Sequence, residues 1–514
     1  MMFLWLLACV YREIDTTGQA DADTDVDADT DADADTDTDP GTIAALEAEL
    51  RTLLGDPSYY VLPDVPVDPS TASTDDYASI PQDPLNPITP EKVRLGRELF
   101  FEPGIAAKPF KEDGDLYTST CATCHDPTAG FTSGSYLGRG IGEGGTGYLA
   151  DRHLLEEFAG EIDLIDIGPW NDTRLVNVAY RGVRGGWQGE FDSTLTEEEK
   201  EAYNEKFCEI SQYGYEGIEC YSYVSMRSHG FFSGVETAPD ESVLSPNSGL
   251  AAYSEYKEMF DAAFPEVAES SRMTRRYTTL AVAAFVRTVI TSDAPFQKFL
   301  KDPQDGTVPS PMSEAELRGG LLFFGEAHCS QCHTGPGLTA AKYANIGAPG
   351  LLETDTLRGF PSIETPTEDM TLVEFFSALS TEYPPLINEG RYDVTLLEED
   401  FGKYEIVSAY GAGAPGVERF GHGAYHDSLE AWIRHKVSGS AGSTVDQRLA
   451  ATLDSRLFFG TEQWITDAQI ADLVAFVGTS LTDPDMELRY GDPDHESLAG
   501  FCSPNNDPES CAAY

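Results

Sequence analysis

Two short stretches decide most of what this chain can become. "TCATCHDPTAG" occupies residues 120–130 and "HCSQCHTGPG" occupies 328–337. Each holds two cysteines separated by two residues, with a histidine directly after. CxxCH is the attachment signature of c-type haem. The two thiols form thioether bonds to the haem vinyl groups, and the adjacent imidazole lies beneath the iron as its proximal ligand. The spacing lets one helical turn present both sulfurs to one edge of the macrocycle. With 9 Cys and 9 His in 514 residues, composition alone predicts about 0.003 such motifs per chain, so two copies are not a coincidence. The competing reading is one four-cysteine zinc site built from both pairs. It leaves both histidines unexplained and has to unite pairs far apart in sequence. Cys121, Cys124 and His125 are therefore expected to hold one covalent haem, and Cys329, Cys332 and His333 a second.

The motifs sit inside an internal repeat. "LGRELFF" (95–101) precedes the first and "RGGLLFF" (318–324) precedes the second. Thr89-Pro90-Glu91 reads as an N-cap, a first-turn proline and an early acid, so a helix should start there. "MSEAELRGGLLFFG" opens with a Ser/Glu cap signature, and "TDAQIADLVAFVGTSL" (466–481) is a capped amphipathic helix. "MTRRYTTLAVAAFVRTVITSDAPFQKFL" (273–300) has strong helical periodicity. Few segments alternate like strands, and the connections are rich in Gly and Pro. The expected fold class is mainly α: two helical domains with long irregular loops, 88–305 and 306–488, followed by a tail over 489–514.

The net charge of −55 is concentrated. "ADADTDVDADTDADADTDTD" at 20–39 carries ten aspartates and no cation. Such a run buries nothing and repels itself, so 10–87, which turns Pro- and Ser-rich, is expected to be a solvated acidic tether holding at most one short helix, "TIAALEAELRTLLG". The run lacks the glycine and bidentate glutamate of a calcium loop. The acidic balance excludes nucleic acid as a partner, because phosphate binding needs clustered Lys and Arg. "MMFLWLLAC" at the start resembles a lipoprotein signal, with Cys9 as the lipid-anchor residue, although its positive n-region is missing. This points to a periplasmic or cell-surface protein. Of the nine cysteines, four remain after Cys9 and the two motifs. They form two close pairs, Cys208/Cys220 and Cys502/Cys511, each a candidate disulfide in an exported chain.

From about 88 to 485 the chain resembles the bacterial di-haem cytochrome c peroxidase family, which includes MauG-like enzymes. The residues that carry the resemblance include "LGRELFFEPGI", "CATCHDPTAGFTSG", "NDTRLVNVAYRGVRGGWQGEF", "LAVAAFVRTVITSDAPFQKFL", "LRGGLLFFGEAHCSQCHTGPGLT" and "HDSLEAWIRH", in the family's order. The resemblance implies two cytochrome c-like domains, a peroxide-reacting N-terminal haem and an electron-transfer C-terminal haem. A calcium ion commonly lies between them. It places Trp187 between the haems, Asn171 as a calcium ligand, and Glu236 on the distal side of the first haem. There a carboxylate would move a proton between the two peroxide oxygens. His229, seven residues earlier, could line the same pocket or be a bystander.

Sixth ligands separate an open iron that binds peroxide from a closed one that passes electrons. The family histidine that closes the first haem falls near Ile141, with His153 as the next candidate, so an open, five-coordinate first haem is expected. At the second, "FGHGAYHDSLEAWIRHK" places His422 on a family histidine and Lys436 on the sixth-ligand position, which is Met in peroxidases and Tyr in MauG-like enzymes. Lysine ligates only as the neutral amine. His435 is adjacent and His426 is near, so either could substitute.

The leading functional reading is a peroxidase. It reduces hydrogen peroxide with electrons from a small donor protein such as a cytochrome c, received at the C-terminal haem and passed through Trp187 to the N-terminal haem. The alternatives are a MauG-like peroxide-dependent oxidase of a protein or organic substrate, and a non-catalytic di-haem electron carrier. A homodimer is a candidate assembly.

Overall fold

The computed structural model describes residues 40–102, 105, 120–133, 171–182, 185–191, 208–228, 250, 253–302, 309–339, 343–348, 389–423, 426–438, 453–454 and 465–491. The chain divides into a segment 1–39, outside the described residues, and a compact unit over 40–514. Cys9, Ile141, His153, His229, Glu236, Cys502 and Cys511 also lie outside the described residues.

The described part of the compact unit is mainly helical, as expected. Its principal helices are α1 (Pro40–Leu54), α2 (Pro90–Phe101), α3 (Gly217–Ser228), α4 (Ser254–Ala263), α5 (Arg275–Arg287), α6 (Pro295–Lys301), α7 (Glu314–Phe324), α8 (Leu429–Ser438), α9 (Asp467–Ala475) and α10 (Met486–Tyr490). The caps read from sequence form. The Thr89 hydroxyl accepts from Lys92 N, and Ser313 with Glu316 and Thr466 with Gln469 close capping boxes. These satisfy N–H groups that a helix start otherwise leaves unpaired. Among the described residues, strand structure is limited to a two-residue antiparallel ladder, β1 (Tyr343–Ala344) with β2 (Tyr404–Glu405).

The internal repeat is a repeat of packing. α2 crosses α5 at Gly96, where an added Cβ would lie 2.0 Å from the Ala281 carbonyl oxygen. α7 crosses α9 at Gly319, where a Cβ would lie 2.0 Å from the Asp472 carbonyl oxygen. In both pairs a phenylalanine one turn beyond each contact completes the crossing: Phe100 meets Phe285 at 5.3 Å, and Phe323 meets Phe476 at 5.3 Å. The partner helices share a pattern, "AAFVRT" (283–288) and "VAFVGT" (474–479), which extends the repeat beyond the segments before the two motifs. Backbones this close leave no room for a methyl group. Gly96→Ala and Gly319→Ala should each cost about 1–3 kcal/mol or more through overpacking. Urea unfolding is the check, and unchanged midpoints would refute the close crossing.

The expected tether is corrected over its second half. Residues 40–87 are packed: Leu50, Leu54, Leu62, Val65, Tyr77 and Ile80 are buried. α1 lies on α7, with Leu50 against Gly320. Leu62 N donates to Gln297 Oε1 at 2.8 Å, and Gln297 Nε2 donates to Tyr60 O at 2.9 Å. The acidic composition of the whole stretch hid a short apolar stripe whose partner is nearly 300 residues away. The C-terminal end crosses back in the same manner, because Tyr490 Oη on α10 donates to Ile290 O at 2.9 Å. One contiguous apolar core therefore runs through both helical groups.

Of the candidate disulfides, Cys208–Cys220 forms. It pins the start of α3, the helix that supplies Tyr221, Ser222, Ser225 and Met226 to a cavity behind the first CxxCH motif.

Candidate functional site

Each CxxCH motif opens onto its own cavity. Cys121, Cys124 and His125 line one, while Cys329, Cys332 and His333 line the other. The four-cysteine zinc alternative fails on this geometry, because the two pairs line different cavities. Among the described residues no three His, Cys, Asp or Glu side chains cluster to hold a metal ion. None of these four cysteines is in a disulfide. Burial pushes the Cys121 and Cys329 thiols up to about 12, which keeps them protonated.

The histidines are held in matching ways. His125 N donates to Cys121 O at 3.0 Å, and His333 N to Cys329 O at 2.9 Å, which tucks each imidazole under its own turn. His125 Nδ1 donates to Phe131 O at 3.1 Å, and His333 Nδ1 to Leu338 O at 3.0 Å. Each carbonyl takes a second donor, Leu175 N at 3.2 Å and Ala409 N at 3.3 Å. Phe131 and Leu338 are fully buried and left-handed, with φ of 58° and 46°. That conformation is uncommon for bulky residues and marks a position held by its surroundings. A donating Nδ1 sets the tautomer and leaves the Nε2 lone pair for a metal, the usual outer-shell arrangement of a ligating histidine. Burial, with Lys436 beside it, pushes His333 down to about 3, so its imidazole is neutral. The residues present fit a c-type haem at each site.

The far sides differ from some of the expectations. Lys436 Nζ stands 3.4 Å from His333 Nε2, inside the second cavity, and 4.8 Å from the Trp432 ring centre. Enclosure lowers its pKa, which favours the neutral amine that metal ligation needs. His435, the neighbouring candidate, is corrected: it does not line the cavity, and its Nε2 donates to Ile346 O at 3.0 Å. One residue along a helix is about a quarter-turn, so adjacent residues cannot both face one iron. His426 lies off the cavity as well, with its ring 5.1 Å from that of His435. His422 does line the cavity, stacked on Tyr404 at 3.7 Å and 6.1 Å from Trp187.

Trp187 is fastened at both ends. Its Nε1 donates to Asn171 O at 2.5 Å, and its own carbonyl accepts from Glu405 N at 2.8 Å. The indole lines the second cavity, while Asp172, next to its anchor, lines both. Asn171 is occupied by protein: Oδ1 accepts from Ser133 Oγ at 2.9 Å, and its N donates to His422 O at 2.7 Å. Among the described residues this is a crosslink between loops and not a cluster of cation ligands.

Two arginines of this region were not singled out from sequence. Arg181 lines the first cavity and Glu405 the second. They form a buried two-pronged ion pair, with Nε donating to Oε1 at 3.0 Å and a second short bond from the terminal nitrogen. Breaking a buried pair strands a charge. Arg181→Met should cost about 3–5 kcal/mol, and adding Glu405→Leu should recover much of it. Denaturant titration of the single and double variants checks this. The other is Arg174, whose guanidinium lines the second cavity.

Residues 90–305 match the family model described as di-haem cytochrome c peroxidase. The chain is 26% identical over 272 residues to the methylamine utilization protein MauG of Methylorubrum extorquens, covering 52% of this chain and 56% of that protein. It is 29% identical over 268 residues to the cytochrome-c peroxidase IdrP1 of Denitromonas iodatirespirans, covering 51% and 52%. The chain thus spans about half the length of these relatives. A solved MauG-like protein associated with microbial copper homeostasis superposes with a TM-score of 0.50 at 21% identity, over 82% of this chain and 98% of that one. That last likeness is one of fold.

Proposed function

Starting from a chain related to the di-haem cytochrome c peroxidases and MauG-like proteins, we propose that it reduces hydrogen peroxide with electrons from a small redox protein. One peroxide takes up two electrons and two protons and yields two waters. When bound, the haems supply the redox chemistry, the second receiving electrons and the first passing them to peroxide.

The observation that supports this reading best is a repeated histidine cradle with unlike far sides. The two cysteine pairs tether the groups, and the Phe131 and Leu338 carbonyls hold His125 and His333 with Nε2 turned inward. Lys436 closes the side opposite His333 with an amine. The described residues that line the first cavity include no lysine, so its wall differs from that of the second. Trp187 links the sites, and the Arg181–Glu405 pair ties their walls together. Glu236 remains the candidate proton carrier, on the sequence resemblance alone.

The Cys208–Cys220 disulfide supports export to an oxidising compartment, in line with a lipid anchor at Cys9. No described helix is long and apolar enough to cross a membrane. The test is steady-state peroxide consumption by the holoprotein with pre-reduced small cytochromes c. Two donor oxidations per peroxide are expected, and no turnover with any donor would reject the peroxidase reading.

A further inference from the structure

We infer that Arg174 is the anion-binding residue of the second haem site, where it pairs with a propionate carboxylate of that haem and holds its reduction potential up. The inference rests on the two-haem reading above.

Among the described residues Arg174 has no carboxylate partner. Its terminal Nη1 donates to the Ser408 carbonyl at 3.3 Å, and its Nε is buried with no hydrogen-bond partner. Three buried arginines of the fold sit against carboxylates: Arg181 with Glu405, Arg287 with Glu219 at 2.6 Å, and Arg489 with Asp483 at 2.6 Å. Enclosure without such a partner pushes Arg174 down to about 10. A guanidinium held in a low-dielectric wall by one carbonyl is expensive unless an anion joins it.

Arg174 passes beside two left-handed glycines, Gly130 from the first motif loop and Gly411 from the C-terminal half, in ordinary van der Waals contact. A Cβ on Gly130 would stand 3.5 Å from Arg174 Nε, and one on Gly411 would stand 3.5 Å from its Cδ. Arg174 lines the second cavity, where its charge acts on His333 and Lys436. Glu405, a carboxylate on the same wall, is committed to Arg181. A haem attached through Cys329 and Cys332 brings its own carboxylates into this cavity, and Arg174 offers them a planar fork of donors.

The electrostatic sign follows. A cation beside the haem disfavours the ferric form, which carries one more positive charge than the ferrous form, and so raises the potential. Removing it leaves the propionate uncompensated, which stabilises the ferric form and lowers the potential.

The experiment compares holoprotein with its Arg174→Gln and Arg174→Lys variants. It records haem content, spectroelectrochemical potentials of both haems, and the propionate bending bands of the resonance Raman spectrum. Arg174→Gln should keep two haems, lower the potential of the second, shift its propionate bands and leave the first haem nearly unchanged. Arg174→Lys, which keeps the charge and loses the fork, should move the bands with a smaller fall in potential. Unchanged potential and bands in both variants, or a shift confined to the first haem, would overturn the assignment. Fewer than two haems in the parent protein would overturn the two-haem reading itself, and the haem assay reports that separately.

Discussion

Lys436→Ala is expected to turn the second haem from six-coordinate and low-spin to five-coordinate and high-spin, with both haems still attached. The amine of Lys436 faces His333 Nε2 at 3.4 Å, and no other candidate from its helix reaches the cavity, since His435 bonds to Ile346 O on another side. Low-temperature EPR of the oxidised protein gives the direct readout. Lys436→Met should keep the low-spin state and raise the potential by on the order of 100 mV, within the ~0.8 V range that axial ligands command. The thioether favours ferrous iron more than an amine does. A higher second potential should then slow electron delivery to the first haem. If the low-spin signal survives in Lys436→Ala, another group closes that iron. His422 would be the next residue to test, since it lines the same cavity.

The second large effect separates the two sites. Replacing Cys121 and Cys124 by Ala should leave one haem per chain and cut peroxide turnover by about 100-fold or more, because the redox chemistry belongs to the cofactor. Replacing Cys329 and Cys332 should also leave one haem. This variant should retain a single-turnover reaction with peroxide while losing steady turnover with a reduced cytochrome. A haem assay confirms the loss, and stopped-flow spectroscopy distinguishes single from repeated turnover. Each double substitution also removes metal-linked stability, so far-UV circular dichroism should accompany the kinetics. Equal loss of the single-turnover reaction in both variants would defeat the division of labour.

The surroundings of His333 show why some of the site is legible in sequence and some is not. Lys436 and His435 are neighbours in sequence, and the motif register alone left both in play. The geometry of α8 separates them, because only one of two adjacent residues can point into a cavity. The imidazole cradles escaped notice for another reason. Phe131 and Leu338 act through backbone carbonyls, which any residue owns, and their left-handed conformations lack the glycine that would mark a turn. The stretch 40–87 was misread because its composition is polar on average, while the stripe of Leu46, Leu50 and Leu54 has meaning only once α7 lies against it. Arg174 is one cation in an unremarkable run, and its placement is set by a carbonyl 234 residues away, that of Ser408.

What the amino-acid sequence determined by itself was local chemistry. CxxCH packs two sulfurs and an imidazole into five residues, so one turn of backbone suffices to present them, and no distant partner is needed. Helix starts were legible for the same reason, since a cap bonds within three or four residues. Tertiary structure alone decided what stands across from His333, which described arginines meet a carboxylate, and how residues 40–87 and α10 pack across the helical groups. Those relations join residues as far apart as His333 and Lys436, or Arg181 and Glu405. They follow from the packing of whole helices, where a rotation of one residue moves a side chain from the cavity to the opposite wall.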